Sequence, residues 1–168
     1  MLVKTSVFFQ VGMFDETLFL YRDDADFCWR LRLFGYEIAV MPDCLVFHQG
    51  SATFGKESYT PWYFILRNNL WVLAKNSPLR QLPARTLLAL LESLISYIGY
   101  WGIVKHDAKG VLISVRGLID GLRYFGGMLK GKRPRGNANE DPRIDLELLF
   151  PNRLRKILME VIKPKYRN

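Results

Sequence analysis

The strongest periodic pattern in the first third of the chain lies in residues 21–35. Its apolar residues follow the spacing i, i+1, i+4 and i+7 of a single helical face: Phe27, Cys28, Leu31 and Phe34. Gly35 follows the last of them, at the position where a left-handed residue commonly ends a helix. The pattern predicts a buried helix that ends at Gly35.

Shorter elements flank this helix. Residues 6–12 predict one helical turn that stops at Gly12. Residues 36–41 alternate as a strand does and end at Pro42, and residues 44–48 predict a second short strand. A helix followed by two strands, with glycine and proline residues at their ends, predicts an α/β class for the first 55 residues.

The period changes at residue 59, and the rest of the chain is predicted to be mostly helical. Residues 59–76 form one amphipathic pattern, residues 83–104 a nearly continuous apolar run, and residues 108–130 a second amphipathic pattern. A basic, glycine-rich linker and a short basic helix are predicted after them. The resulting division is 1–57, 58–130 and 131–168.

The apolar run at 83–104 approaches the length of a bilayer span, which takes about 20 apolar residues. Glu92 interrupts it, and a charge near the centre of a span costs roughly 2.5–3.5 kcal/mol. Tyr97, Tyr100 and Trp101 cluster at one end, as aromatic residues do at membrane interfaces. Two interpretations remain open: a helix that lies in or dips into the membrane surface, and a buried helix of a soluble domain.

Charge is distributed unevenly along the 168 residues. Residues 1–60 carry five Lys and Arg against eight Asp and Glu, a net charge of −3, whereas residues 61–168 carry nineteen against eight, a net charge of +11. A basic region can serve nucleic acid, an anionic membrane or a polyanionic partner. The basic residues alternate with long aliphatic stripes and match no nucleic-acid module, so we expect an anionic membrane surface and no nucleic-acid partner.

Three carboxylates, Asp23, Asp24 and Asp26, crowd the start of the predicted helix. They can cap the helix and complement its dipole. Their mutual repulsion also fits base catalysis or cation binding. His48 ends the second predicted strand; such a histidine is usually structural, but beside the carboxylates it would suit a divalent cation.

Several motifs in a fixed order resemble the second half of a family 2 glycosyltransferase, of the rhamnosyltransferase-like and galactofuranosyltransferase-like kind. They are residues 9–16, 19–30, 35–36, Pro42 and 48–51, followed by Arg67-Asn68 and residues 75–78. The resemblance covers roughly residues 1–78. It implies a GT-A fold whose acceptor-side half is followed by the amphipathic, mostly helical region.

The resemblance also implies roles. Asp24 matches the catalytic base of an inverting transfer from a nucleotide-sugar donor, and Asp23 its acidic neighbour. His48 matches a histidine that joins the divalent cation, Mg or Mn, on the donor diphosphate. Asp26 and Arg30, at i and i+4, are expected to form an ion pair on the helix surface that orients the site, and these two residues and Trp29 are expected to bind substrate or to orient the site.

In the family a nucleotide-binding half precedes this region, and the eight residues before Phe9 cannot contain it. We therefore expect most cation ligands to lie in that other half and the isolated chain to be inactive. The expected function is transfer of a sugar to a saccharide acceptor, lipid-linked in this interpretation, in polysaccharide synthesis at the cytoplasmic face of a bacterial inner membrane. The alternative is a non-catalytic membrane-associated module or a truncated product.

Overall fold

A computed structural model describes residues 1–47, 55 and 58–131 of the chain. All of them lie in the first of the two units into which the chain divides by its contacts, Met1–Ala138 and Asn139–Asn168. The described part is mostly helical. Its α-helices are α1 Thr5–Val11, α2 Asp23–Leu33, α3 Thr60–Asn76, α4 Leu82–Ser93, α5 Ala108–Arg123 and α6 Phe125–Lys130. A 3₁₀ turn, Glu16–Leu18, separates α1 from α2.

Helix α2 forms where the apolar pattern predicts it. Phe27 and Leu31 are buried and pack with Val11 at the end of α1. At the end of α2, Gly35 takes φ 84°. Its N–H bonds the carbonyl of Arg32 at 3.0 Å, and the N–H of Tyr36 bonds that of Leu31 at 2.9 Å. This pair of bonds is a Schellman motif, so the predicted left-handed cap at Gly35 is confirmed.

The two predicted strands are not formed in the part of the chain that the structure describes. Residues 36–47 have no regular secondary structure, and Val40, Val46 and Phe47 are 89%, 86% and 98% exposed. A strand needs a neighbouring strand to bond its N–H and C=O groups, and among the described residues none is available. The alternating pattern supplies strand propensity without a partner, so the α/β class is not established by this structure.

Helix α3 is the centre of the helical part. Its second half, from Leu66 onward, is almost wholly buried. Helix α5 approaches it closely along a glycine-lined face: a Cβ on Gly117 would lie 2.7 Å from the carbonyl oxygen of Tyr63, and one on Gly121 would lie 2.8 Å from Leu70 Cδ1. Helix α5 therefore packs closely on α3 because of these two glycines. The helix predicted over residues 108–130 is interrupted at Tyr124.

Helix α4 continues through two π-helical segments, Leu94–Ile98 and Tyr100–Val104. The continuous helix Leu82–Val104 has 23 residues and contains an 18-residue window with a mean hydropathy of 1.6, so it is long and apolar enough to cross a membrane by length and composition alone. Only 22% of that window is buried. Its buried side carries Arg85, Glu92 and Ser93 as well as Leu82, Ala89 and Tyr97, so the interior side of this apolar helix is partly polar.

Candidate functional site

The acidic residues at the start of α2 are placed differently from one another. Asp23 and Asp24 occupy the first turn, Asp23 half-buried and Asp24 exposed, while Asp26 is buried. The N-cap residue is Arg22, and no side chain caps the helix. Asp24 Oδ1 accepts a hydrogen bond of 2.7 Å from the N–H of Ala25. Capping by Asp23 or Asp24 is therefore not observed, although both charges complement the helix dipole.

The segment that leads into α2 has an unusual backbone. Met13, Phe19, Tyr21 and Arg22 have φ values of 56°, 59°, 61° and 70°, in the left-handed half of the Ramachandran map. Each non-glycine residue in such a conformation costs on the order of 1–3 kcal/mol, and it persists only where the surroundings enforce it. Residues 13–22, the entry segment, are thus held by contacts from elsewhere in the fold. They lead into the first turn of α2, which bears Asp23 and Asp24 and is called the acidic turn below.

Two adjacent residues of α3 supply part of that restraint. Asn68 Nδ2 donates to the carbonyl oxygens of Leu18, Leu20 and Tyr21 at 2.9, 2.8 and 2.8 Å. Arg67 Nη2 donates to the Leu18 carbonyl oxygen at 2.9 Å. Three carbonyl oxygens of the entry segment, all within residues 18–21, are therefore bonded to one buried side chain, which explains how the strained backbone is maintained.

A buried ion pair fixes the 3₁₀ turn. Lys75 Nζ lies 2.6 Å from Asp15 Oδ2 and 2.6 Å from Thr17 Oγ1. Burial opposes ionisation of Asp15, yet the hydrogen bonds from Lys75 and Thr17, with the Lys75 charge, hold the pKa of this carboxyl below its ordinary value. The turn before α2 is thus bonded to the last turn of α3.

Asp26 and Arg30 form the predicted i, i+4 ion pair, at 2.8 Å, but the prediction that it lies on the helix surface is wrong. Both residues are 1% exposed. Asn76 donates to Asp26 Oδ1 at 2.7 Å, and Arg30 donates to the carbonyl oxygens of Val11 and Met13 at 2.8 and 2.6 Å. The pair is buried because α3 covers it, and it bonds the end of α1 to α2.

Trp29 is also buried, at 3% exposed, and the Arg85 guanidinium of α4 lies 5.9 Å from its ring centroid. A cation at this distance from an indole ring is attracted by its π electrons. The position agrees with an orienting role for Trp29 through packing, and it leaves no exposed ring face for a substrate.

His48 lies outside the described residues. Within the described ranges, no three His, Cys, Asp or Glu side chains are arranged to hold a metal ion. Asp26 is committed to Arg30 and Asn76, which removes it from any such group. The divalent cation that the resemblance implies therefore has no complete set of ligands in the part of the chain that the structure describes.

Sequence analysis missed the role of Glu92. It is 3% exposed, and neither carboxylate oxygen has a hydrogen-bond partner. Burial raises its pKa from 4.5 to about 7, although the nearby charge of Arg22 acts in the opposite direction. The signal in the sequence was a single acid inside an apolar run, and only the fold shows that its side chain is buried.

The raised pKa of Glu92 predicts a specific pH dependence of stability. Between pH 4.5 and about 7 the folded chain holds a proton that the unfolded chain has lost, so this group's contribution falls as pH rises, by about 3 kcal/mol in total, and then stays level. Glu92→Gln removes that slope. The measurement is the native-minus-variant difference in free energy of unfolding at pH 5 and pH 8; an equal difference at both contradicts the prediction.

Comparison of the chain with protein-family models, with curated proteins and with solved structures finds no match. The function must therefore be argued from the residues and their geometry. Asp24 is the exposed carboxylate of the acidic turn, and the residues around it are held by buried bonds from α3.

Proposed function

We propose that this chain is the acceptor-side, C-terminal portion of an inverting GT-A glycosyltransferase in which Asp24 is the catalytic base. The observation that carries the proposal is that Asp24 is an exposed carboxylate whose neighbouring segments are held in place by buried hydrogen bonds. Asp24 is open to solvent on the first turn of α2, and Asn68, Lys75 and Asn76 bond the segments on either side of it. The order of motifs in residues 1–78 supports the same function.

In this mechanism the acceptor hydroxyl attacks the anomeric carbon of the nucleotide sugar. The new glycosidic bond forms as the bond from that carbon to the diphosphate breaks, and Asp24 takes the hydroxyl proton. A base must lie within hydrogen-bond reach of the proton it removes, and rigid placement preserves that geometry. Asp23 adds negative charge beside the base. Asp24→Asn in an enzyme that includes the donor-binding half tests the role, because transfer should be lost while folding is retained.

We also propose that the chain binds the membrane surface without crossing it. The exposed face of Leu82–Val104 is apolar, and so is part of α5; the exposed residues include Leu87, Leu91, Leu94, Ile95, Ile103, Leu112 and Ile119. The cations Lys109, Arg116 and Arg123 on α5 are exposed beside this surface. Apolar residues flanked by cations are typical of helices in the interface of anionic bilayers.

The buried side of the same helix argues against a span. Arg85 and Glu92 face the rest of the protein, with Arg85 on Trp29 of α2. A span would carry the charged start of α2 into the hydrocarbon core, which is unfavourable. A peripheral position at the cytoplasmic face of a bacterial inner membrane suits a lipid-linked saccharide acceptor. The second candidate function, a non-catalytic membrane module, rests on the same apolar surface and needs no role for Asp24.

Flotation with vesicles tests the membrane proposal. The double variant Leu91→Glu/Ile95→Glu replaces two exposed apolar side chains of this surface. Burial of each side chain in the membrane interface is worth about 1.5–3 kcal/mol. We expect at least a tenfold weaker association with anionic vesicles, and weaker association of the native chain when salt is raised. Val40→Glu, at a site that is 89% exposed and outside the helix, is the control. Equal flotation of all three proteins contradicts the proposal.

A further inference from the structure

A cavity of about 650 Å³ lies between the start of α3 and the first half of α5. Pockets that hold small ligands have volumes of roughly 300–1,000 Å³, so this one has room for a phosphorylated headgroup. Most of the described residues that line it carry a hydroxyl group or a positive charge: Ser58, Tyr59, Thr60, Tyr63, Lys109 and Arg116. Such a lining suits an anion.

The charged residues of this lining are both cations. Lys109 and Arg116 are exposed and stand about two turns apart on one face of α5. Arg116 Nε lies 4.0 Å from Asp120 Oδ2, which is beyond hydrogen-bond distance. On the α3 side, the hydroxyls of Ser58 and Thr60 add donors. Two cations match a phosphomonoester or a diphosphate, since a phosphomonoester carries a charge of about −1.5 to −2 at pH 7.

Two carboxylates near the cavity are bonded to its tyrosines. The Tyr59 hydroxyl donates to Asp107 Oδ2 at 2.6 Å, and the Tyr63 hydroxyl donates to Asp120 Oδ2 at 2.7 Å. These bonds join α3 to α5 and hold the two tyrosines in place as walls of the cavity. Neither carboxylate is among the residues that line the cavity, so the charge of the lining itself remains positive.

The cavity adjoins the aromatic end of the apolar helix Leu82–Val104. The ring centroid of Tyr59 lies 5.4 Å from that of Trp101, and Trp101 lies 5.4 Å from Tyr100. Lys109 Nζ lies 5.2 Å from the Tyr59 ring centroid. Tyrosine and tryptophan side chains concentrate at the headgroup level of a bilayer. With the apolar surface on the membrane, the cavity therefore lies at the depth of the lipid headgroups.

Apolar residues of α5 lie beside the two cations. Ile113 lines the cavity, and Leu112, the residue before it, is 67% exposed. A free phosphate ion gains nothing from an exposed apolar side chain, whereas the hydrocarbon chain of a lipid is removed from water against it. These surroundings favour a lipid headgroup over a free anion as the occupant.

We propose that this cavity binds the phosphate of a lipid headgroup, as a phosphomonoester or a diphosphate, through Lys109 and Arg116. Tyr63 stands one turn before Arg67, which donates to the Leu18 carbonyl oxygen of the entry segment. The cavity and the entry segment are therefore attached to neighbouring turns of α3. That the bound lipid carries the saccharide acceptor rests on the proposed function, whereas the binding of the phosphate does not.

Flotation of the full chain with two anionic lipids tests the proposal. Phosphatidic acid has a phosphomonoester headgroup, and phosphatidylglycerol has a phosphodiester. At equal surface charge, we expect phosphatidylcholine vesicles that contain phosphatidic acid to bind the native chain on the order of tenfold more tightly than those that contain phosphatidylglycerol, the effect of one further charge-assisted hydrogen bond. Equal binding of the two kinds of vesicle would overturn the proposal.

A pair of variants with the same net charge separates the cavity from general electrostatics. Lys109→Gln/Arg116→Gln should lose the preference for phosphatidic acid. Lys105→Gln/Arg123→Gln removes two exposed cations that are not among the residues lining the cavity, so it should keep the preference, although both variants bind all anionic vesicles more weakly. Loss of the preference in both variants would assign it to net charge and overturn the proposal. Denaturation midpoints check that both variants are folded.

Calorimetric titration distinguishes a lipid from a free anion. Short-chain phosphatidic acid should bind the native chain at least about tenfold more tightly than inorganic phosphate, because its hydrocarbon chains are removed from water beside the cavity. Equal affinities would mean that the site takes a free anion, and the assignment to a lipid would be wrong.

Turnover supplies the last measurement, in an enzyme that includes the donor-binding half. Lys109→Gln/Arg116→Gln should raise KM for a lipid-linked acceptor on the order of tenfold above that of the Lys105→Gln/Arg123→Gln control, as expected for lost substrate binding. Equal KM values would overturn the assignment of the headgroup to the acceptor. If Asp24→Asn leaves transfer intact while the vesicle preference depends on Lys109 and Arg116, the proposed function fails and the headgroup site stands.

Discussion

Asp24→Asn, introduced into an enzyme that also carries a donor-binding half, is expected to lower kcat for sugar transfer by about 10²–10⁴-fold, the contribution that a positioned general base usually makes. The amide has nearly the shape of the carboxylate but cannot take the acceptor proton. Asp24 is exposed and its bond to Ala25 is local, so stability should change by less than about 0.5 kcal/mol, as at other surface positions.

The control for this change is Asp43→Asn, which removes one exposed carboxylate outside the acidic turn. Its kcat should remain at the native value, with the same denaturation midpoint. Initial rates at saturating donor and acceptor, together with denaturation curves for the three proteins, make the comparison. Native-like transfer by Asp24→Asn would remove the base role and leave the non-catalytic membrane module as the better interpretation.

Arg30→Ala is expected to have the largest effect on stability, a loss of about 3–5 kcal/mol, which is typical when one partner of a buried ion pair is removed. The substitution leaves the Asp26 carboxylate, 1% exposed, bonded to Asn76 but without its cation, and it removes the donors to the carbonyl oxygens of Val11 and Met13. Because small domains are stable by only 5–15 kcal/mol, the loss is a large fraction of the total.

Arg116→Ala is the matched control, since it also removes an arginine from an i, i+4 pair with aspartate. That pair is 4.0 Å long, and the Arg116 side chain is 77% exposed, so a loss of at most about 0.5 kcal/mol is expected. Urea midpoints measured at one pH give both values. Equal destabilisation by the two substitutions would mean that burial of the Asp26–Arg30 pair does not determine its importance.

The helices were the predictable part of the fold, because apolar periodicity and end signals act locally. The helices at 23–33, 60–76 and 108–123 lie where the pattern places them, and Gly12 and Gly35 end helices as expected, with φ values of 92° and 84°. The two strands were not predictable in this way. Residues 36–47 have the alternation of a strand, but a strand forms only against a partner, and sequence alternation does not provide one.

The candidate site shows the same difference between features that local sequence predicts and features that depend on tertiary contacts. Asp24 was identified from its motif, and its exposure agrees with the role proposed for it. Asn68, Lys75 and Asn76 also belonged to the motifs of the resemblance, but their bonds to the segments around Asp24 were not predicted, because they lie about fifty residues later in the chain. Polar side chains are usually exposed, and nothing in the local sequence indicates that these three are buried.

By itself the sequence determined the helical segments, the acidic turn and the apolar character of residues 83–104, because each depends on neighbours a few positions away. Only the tertiary structure decided that the Asp26–Arg30 pair is buried, that Asn68 holds a strained entry segment, and that Glu92 is buried. These features arise where α3 and α4 cover α2. Burial changes the energy of a charge far more than local sequence does, and it is a property of the assembled helices.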